Sequence, residues 1–577
     1  AYFAVMMKAR QYNRRILNGE YRPNVYSVQE SNGIDRNQLK YFGAGLNELE
    51  KNNAVTQMTG LLDTFKDAKE YGSILTIEQY DWELLERFVS NSEVLGQLSM
   101  DTVGLDDAAE ELKVLIAQGK VLAQKYHVTT TNPPYMGLGS MNDKTLTYVK
   151  DHYFDSKSDL YAVFIERCKQ FTMHSCYQSM ITQHSWMFLS SFAKIRSSIQ
   201  QTDVVNMAHL GPRAFEEISG EVVQTTSFVI RNIRIPQYQG VYCRLTAPNS
   251  QDGKEALFLN GKEHYVAKQT DFERIPDSPY AYWASKHFIE LFDEKYRFSR
   301  KASAKAGLST TDNIKFLRLW FELPFGEISF TYKSLKETED GRYKYIPEPK
   351  GGTFRKWYGN LDYVVEWYKN GQAIRKAAEG ASGGRIVGSE YYFHEGLTWS
   401  DITSGGNLSV RYLPEGMIFN SSAPSCFMKE PKYLMYLLGF MNSPIAKEYL
   451  KFLAPSYHFN AGPIEKLPFI IDDASFEVID RLVRESVSIS KTDWDSFETS
   501  WDFERHPLVI QGPSRSHWNT DNVTVEECFR AWSDECDSRF EQLKKNEEEL
   551  NRIFIEIYEL QDELTPEVED KDVTVRR

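Results

Sequence analysis

The chain has 577 residues, more than one hydrophobic core usually serves, which points to two or three domains. Its 41% hydrophobic and 26% charged residues are those of a globular chain, and no apolar run is long enough to span a bilayer. A net charge of -14 excludes an overall basic footprint but leaves room for a basic cleft on an acidic body.

The six cysteines (Cys168, Cys176, Cys243, Cys426, Cys528 and Cys536) form no CxxC pair and read as reduced thiols, with no disulfide framework and no zinc site. No signal peptide is visible, so the expected setting is the cytoplasm, away from any membrane. The opening AYFAVMMKAR lies already inside a helix-like run, and the closing DVTVRR gives no stop. The chain is therefore expected to be part of a longer protein.

In chain order, residues 1–20 read as a helix with Phe3, Met6, Met7 and Ile16 near one face, and NVYSVQ as a short strand carrying Val25 and Val28. Helix signals fill 36–66, and DAAEELKVLIAQG predicts a helix ended by Gly119. KYHVTTTNPPY reads as a buried strand broken by a double proline. Residues 155–171 form the next helix, capped by Asp155 or Ser156, with Leu160, Val163, Phe164 and Cys168 inward. Strands follow at 176–188, 203–210 and 221–231. This alternation predicts an α/β domain with a mostly parallel sheet over 1–235. From 236 to 470 the texture is Tyr-, Gly-, Lys- and Arg-rich, a second domain of mixed strands and long loops. Residues 431–453 turn helical, and 471–577 form a helical region whose stretch 537–564 carries Leu543, Leu550, Phe554, Ile557 and Leu560 on one stripe. That helix reads as a core or spacer element rather than a partner-binding surface.

The chemistry sits at Asn132-Pro133-Pro134-Tyr135. Two prolines fix the turn after a strand and push the preceding residues to extended geometry. The Asn132 side chain and the proline carbonyls are thus held at the carboxyl edge of the sheet, where open α/β folds bind ligands. An amide oxygen and a carbonyl are both acceptors, able to grip the two protons of an exocyclic amine. Tyr135 offers a face on which a base can stack once it has left its duplex.

A strand followed by NPPY resembles the catalytic motif of the amino-methyltransferases that modify adenine in DNA. AYFAVMMKAR, LLDTFKDAKEYGS, NPPYMG, SWMFLSSF, TTDNIKFLRLWFE, GGTFRKWYGN, WDSFETSWDF and NEEELNRIFIEIYELQDELTPEV resemble segments of the PglX family, the methyltransferases of BREX phage-defence systems. The resemblance implies a Rossmann-like class I methyltransferase domain, incomplete at its N-terminus, followed by a mixed α+β target-recognition domain and a helical C-terminal region. It implies site-specific methylation of adenine in double-stranded DNA from S-adenosylmethionine, with Asn132, Pro133, Pro134 and Tyr135 catalytic and no metal. Expected partners are double-stranded DNA, other defence-system proteins and a phage inhibitor that mimics DNA. The alternatives are a DNA-recognition and assembly subunit of the defence complex, or the methyltransferase-recognition part of a restriction-modification enzyme.

The family grips its cofactor with a Gly-rich turn and an acidic residue, both just before the AYFAVMMKAR segment. Gly137 to Ser140 (GLGS) follows the wrong strand to replace them. This chain is expected to bind S-adenosylmethionine weakly or not at all. The aromatic that sandwiches the flipped base is expected just before Gln224, where Val222 and Val223 stand, with Phe215 the nearest upstream. In the second domain Gly351-Gly352-Thr353-Phe354-Arg355-Lys356-Trp357-Tyr358 reads as a loop able to reach a groove or phosphates, with Arg355, Lys356, Trp357 and Arg385 as DNA-binding candidates. His127, His174, His184 and His394 have no metal-like spacing, Asp362 and Glu366 no nuclease pattern, and Ser516, His517 and Trp518 no partner acid.

Overall fold

The computed structural model describes residues 2–19, 22–90, 104–215, 223–379, 385–403, 406–455, 458–510 and 524–577. Val222, 382–384 and 516–518 lie outside the described residues. The chain divides into two compact units, Ala1–Thr270 and Asp271–Arg577. Among the described residues, no helix is long and apolar enough to cross a membrane.

The first unit begins with a helix over Tyr2–Tyr12 and one short turn at Ile16–Asn18, where a single longer helix was expected. Three helices then share a core: α1 (Glu48–Thr64), α2 (Trp82–Ser90) and α3 (Leu105–Ala123). Asn47 starts α1 with a reciprocal cap to Glu50. Leu61, Leu85, Phe88 and Leu112 are fully enclosed between them. Gly119 does not end α3. It lies inside the helix, where a Cβ would meet the Trp82 ring at 3.0 Å, so its bare backbone serves close packing. Val25 and Val28 form no strand. That extended segment is tied instead by the neighbouring Gln118 side chain, which accepts from Gln29 N–H at 2.9 Å and donates to the Ser27 carbonyl at 2.9 Å.

The sheet contains β1 (Tyr126–Thr131), β2 (Thr172–Gln183), β3 (Asp203–Gly211), β4 (Thr225–Arg231), β5 (Gln239–Arg244) and β6 (His264–Lys268), in the order β1-β2-β4-β3-β5-β6. Helices α4 (Asp143–His152) and α5 (Leu160–Phe171) connect β1 to β2, giving a parallel crossover pair. The mostly parallel expectation fails elsewhere. β4 runs antiparallel between β2 and β3, and among the described residues of this sheet only β1–β2 and β3–β5 are parallel. β1 is an edge strand with Val128 62% exposed, not a buried one. Because β5 and β6 hydrogen-bond onto this sheet, the first unit passes the expected limit at 235 and reaches Thr270.

The second unit holds two antiparallel sheets. The strands are β7 (Ala302–Lys305), β8 (Leu317–Leu319), β9 (Tyr345–Glu348), β10 (Tyr363–Glu366), β11 (Gly396–Trp399), β12 (Val410–Leu413) and β13 (Ser425–Met428). They pair as β8-β10-β9 and β12-β11-β13-β7. Helices α6 (Leu434–Asn442), α7 (Pro444–Leu453), α8 (Phe476–Asp495) and α9 (Val525–Ile557) follow. The stripe on α9 is core, as expected: Leu543 and Phe554 are fully buried, and Phe554 meets Tyr436 of α6 edge-to-face at 5.4 Å. The C-terminal helices therefore belong to the second unit rather than forming a region apart.

Candidate active site

The Asn132–Tyr135 loop leaves the carboxyl end of β1, beside the carboxyl end of the parallel β2. Asn132 and Pro134 are exposed, Pro133 is buried, and Tyr135 is half-buried. The Asn132 amide thus faces solvent on a loop whose base is enclosed. The Tyr135 hydroxyl lies 3.4 Å from both Asn132 Oδ1 and the Ile181 carbonyl, long contacts that orient the ring weakly. The ring itself is held better. It meets the buried Tyr161 edge-to-face at 6.0 Å, and the Tyr161 and Ser185 hydroxyls are 2.7 Å apart. Partial burial raises the Tyr135 pKa, so the phenol stays neutral.

The exit of the loop is pinned by Asp159. Asp159, rather than Asp155 or Ser156, caps α5, because its carboxylate accepts from both Met136 N–H at 2.9 Å and Tyr161 N–H at 3.2 Å. The Leu160 N–H returns to the Met136 carbonyl at 2.9 Å. Ser156 instead donates to Glu166 at 2.6 Å, and Asp155 pairs with Lys194 at 2.9 Å. A sequence reading could have found Asp159 from its place directly before the run Leu160-Tyr161-Ala162-Val163.

Two histidines missed as a pair lie at the same sheet edge. His184 follows β2 and His209 is near the end of β3, which runs in the same direction; their ring nitrogens are 2.8 Å apart. Burial lowers His184 to about 4 and holds His209 well below the ordinary range, so both are neutral. The SWMFLSSF segment beside them is anchored by Arg196, which donates to the Trp186 and Leu189 carbonyls at 2.8 and 2.7 Å.

The implied cofactor, S-adenosylmethionine, needs a tight glycine turn. Gly137 has φ -70° and ψ 163°, extended backbone open to any residue, and no atom lies within 4 Å of a Cβ placed on Gly139. Gly137 and Gly139 therefore supply no such turn.

The loop expected to meet DNA is internal at its centre. Lys356 and Trp357 are buried, and both donate to Glu547 of α9, at 2.5 and 2.6 Å. Arg355 pairs with the buried Asp493 at 3.2 Å. These three residues brace the second unit, and the enclosed Lys356 and Trp357 are not offered to DNA as the sequence led one to expect. Arg385 is exposed.

A family model for the Eco57I restriction-modification methylase matches residues 40–215, the run that includes β1, the Asn132–Tyr135 loop, β2 and β3. Over 591 aligned residues the chain is 41% identical to the adenine-specific methyltransferase PglX of Lacticaseibacillus casei (strain Zhang), covering 100% of this chain and 48% of that protein. It is 32% identical to the adenine-specific methyltransferase BrxX of Escherichia coli O9:H4 (strain HS), covering 96% and 45% respectively. The chain spans about half the length of the curated relatives it matches. A similar solved structure is the Type IIL restriction-modification enzyme MmeI in complex with DNA, at 10% identity and TM-score 0.48 over 90% of this chain and 70% of that one. The resemblance to PglX read from the sequence thus extends along the whole chain.

Proposed function

We propose that the protein methylates the exocyclic amine of adenine at a specific site in double-stranded DNA, with S-adenosylmethionine as the donor, in cytoplasmic phage defence. The observation that carries this reading is the exposed Asn132 amide on a proline-fixed loop at the sheet's carboxyl edge. An adenine amine is a poor nucleophile because its lone pair is delocalised into the ring. Asn132 Oδ1 and the Pro133 carbonyl accept hydrogen bonds from its two N–H groups, draw the nitrogen toward tetrahedral geometry, and turn the lone pair out of the ring plane. Pro134 fixes the turn, and Tyr135 takes the flipped base on its face. The identity to PglX and BrxX supports the choice of adenine.

In this reading the first unit carries catalysis and the second reads the DNA site. Other defence-system proteins, and a phage inhibitor resembling DNA, are the partners that accompany it. The test is sequencing of DNA modified by the full-length protein and by Asn132→Ala. Methylated adenine at one recurring site, absent from the variant, is the expected result. Undiminished methylation by Asn132→Ala sinks the assignment.

A further inference from the structure

The second unit contains a polar hollow of about 290 Å³, open to solvent, whose lining includes Lys350, Ser309, Thr310, Thr311, Ser421 and Ser422. Lys350 is half-buried there. Its ammonium lies 5.4 Å from the centre of the Tyr363 ring and makes no ion pair or hydrogen bond among the described residues. Burial lowers the Lys350 pKa, and the attraction of the nearby Glu348 offsets this only in part. Glu348, two residues earlier, is fully enclosed and accepts from Asn420, and burial pushes its pKa up to about 8. It is therefore mainly a neutral acid at pH 7. A partly desolvated ammonium without a counter-charge is costly, and an anion in the hollow relieves that cost.

The hydroxyls divide into two sets. Thr310 is turned to Asn313, and Ser422 donates to Asn420 Oδ1 at 2.7 Å. The Ser309 and Ser421 side chains line the hollow, and their hydroxyls meet no acceptor among the described residues. Gly351 sets the width of this wall, since a Cβ there would come within 2.6 Å of the Ser422 carbonyl. The exposed Arg385 borders the same place: its carbonyl accepts the Ser309 N–H at 2.8 Å.

We infer that this hollow binds a phosphate group of the DNA backbone, with Lys350 supplying the charge and the lining Ser309 and Ser421 two hydroxyl donors. The DNA source rests on the function proposed above; the oxyanion chemistry does not. Within the segment 350–357, the basic residue offered to DNA is then Lys350, while Arg355 and Lys356 are engaged internally.

The test measures duplex binding over a salt series, and the thermal shift caused by inorganic phosphate, for the full chain, Lys350→Gln and Lys350→Arg. One lost phosphate contact lowers the slope of log affinity against log salt by about one, similarly for all duplex sequences. That loss in Lys350→Gln, with the slope kept in Lys350→Arg, is the expected result. A phosphate shift lost in Lys350→Gln, with no duplex binding by the unaltered chain, upholds the oxyanion site and sinks the DNA reading. Equal slopes and equal phosphate shifts in all three proteins overturn the site.

Discussion

The Met136 N–H donates to Asp159 Oδ1 at 2.9 Å across 23 positions, so the residue that starts α5 also fixes the exit of the Asn132–Tyr135 loop. One carboxylate thereby couples helix initiation to the placement of the Asn132 amide.

Asp159→Ala is expected to cost about 1–2 kcal/mol, the usual worth of an N-cap, and to lower methylation further by freeing the loop. Asp159→Asn keeps an acceptor oxygen and isolates the charge. Burial is the largest influence on the Asp159 pKa and raises it, against the backbone hydrogen bonds from Met136, Tyr161 and Leu160. A carboxyl raised on folding favours the folded state most below its unfolded value of 3.8 and loses that contribution as pH climbs through the folded value. Urea melts from pH 3.5 to 6 should therefore show Asp159→Asn gaining on the unaltered chain as pH rises. A constant difference refutes this account.

Tyr135→Phe should retain most activity, because the hydroxyl makes only contacts of 3.4 Å. Tyr135→Ala removes the stacking face, worth about 1–3 kcal/mol per base, and should lower methylation roughly five- to hundredfold. Steady-state assays of both variants on one duplex decide it. Equal losses in the two would move the role from the ring to the hydroxyl.

The His184–His209 pair predicts an acid-side weakness. Burial is the leading cause for both; a proton on either ring would repel one on the other, and Arg244 and Lys254 add positive charge around His209. Histidines depressed on folding contribute fully above the ordinary imidazole value of 6.5, and the contribution fades as pH falls toward the folded value of about 4 for His184. Stability should drop between these limits by up to about 1.4 kcal/mol per pH unit for each histidine that must shed a proton to fold. Denaturant melts of His184→Gln/His209→Gln should show a flatter pH profile. A profile as steep as that of the unaltered chain counts against the pair.

Glu547→Ala leaves the buried Lys356 ammonium and the Trp357 N–H without their common acceptor. Breaking one side of such a pair typically costs about 3–5 kcal/mol. Lys356→Met combined with Glu547→Leu should recover part of that loss, which a double-mutant cycle by chemical denaturation measures directly. Full additivity of the two changes rejects the coupling.

What the sequence disclosed was local. Asn132 to Tyr135 was legible because the strand, the prolines and the aromatic are contiguous, and the α9 stripe because a 3.6-residue period needs no knowledge of its partner. The insertion of β4 between β2 and β3 was not, since antiparallel placement is decided by pairing between distant segments. Asp155 and Asp159 look alike as caps until Met136 arrives beside one of them. Gly119 reads as a helix end by composition, and only the Trp82 ring explains it as a packing residue. Arg355, Lys356 and Trp357 read as surface chemistry because their carboxylate partners lie far along the chain.

Glu547 lies 190 positions after Trp357, and this distance has a temporal meaning. On a ribosome, the loop bearing Arg355, Lys356 and Trp357 emerges long before the helix that neutralises and encloses it. Until then an ammonium and an indole N–H must remain hydrated, so the strands around them cannot close over a finished interior. The second unit should mature late and all at once, with α9 acting as the keystone of its assembly. A nascent chain stopped before Val525 should be taken apart by protease at 351–358, and the same segment should become resistant once α9 has been made.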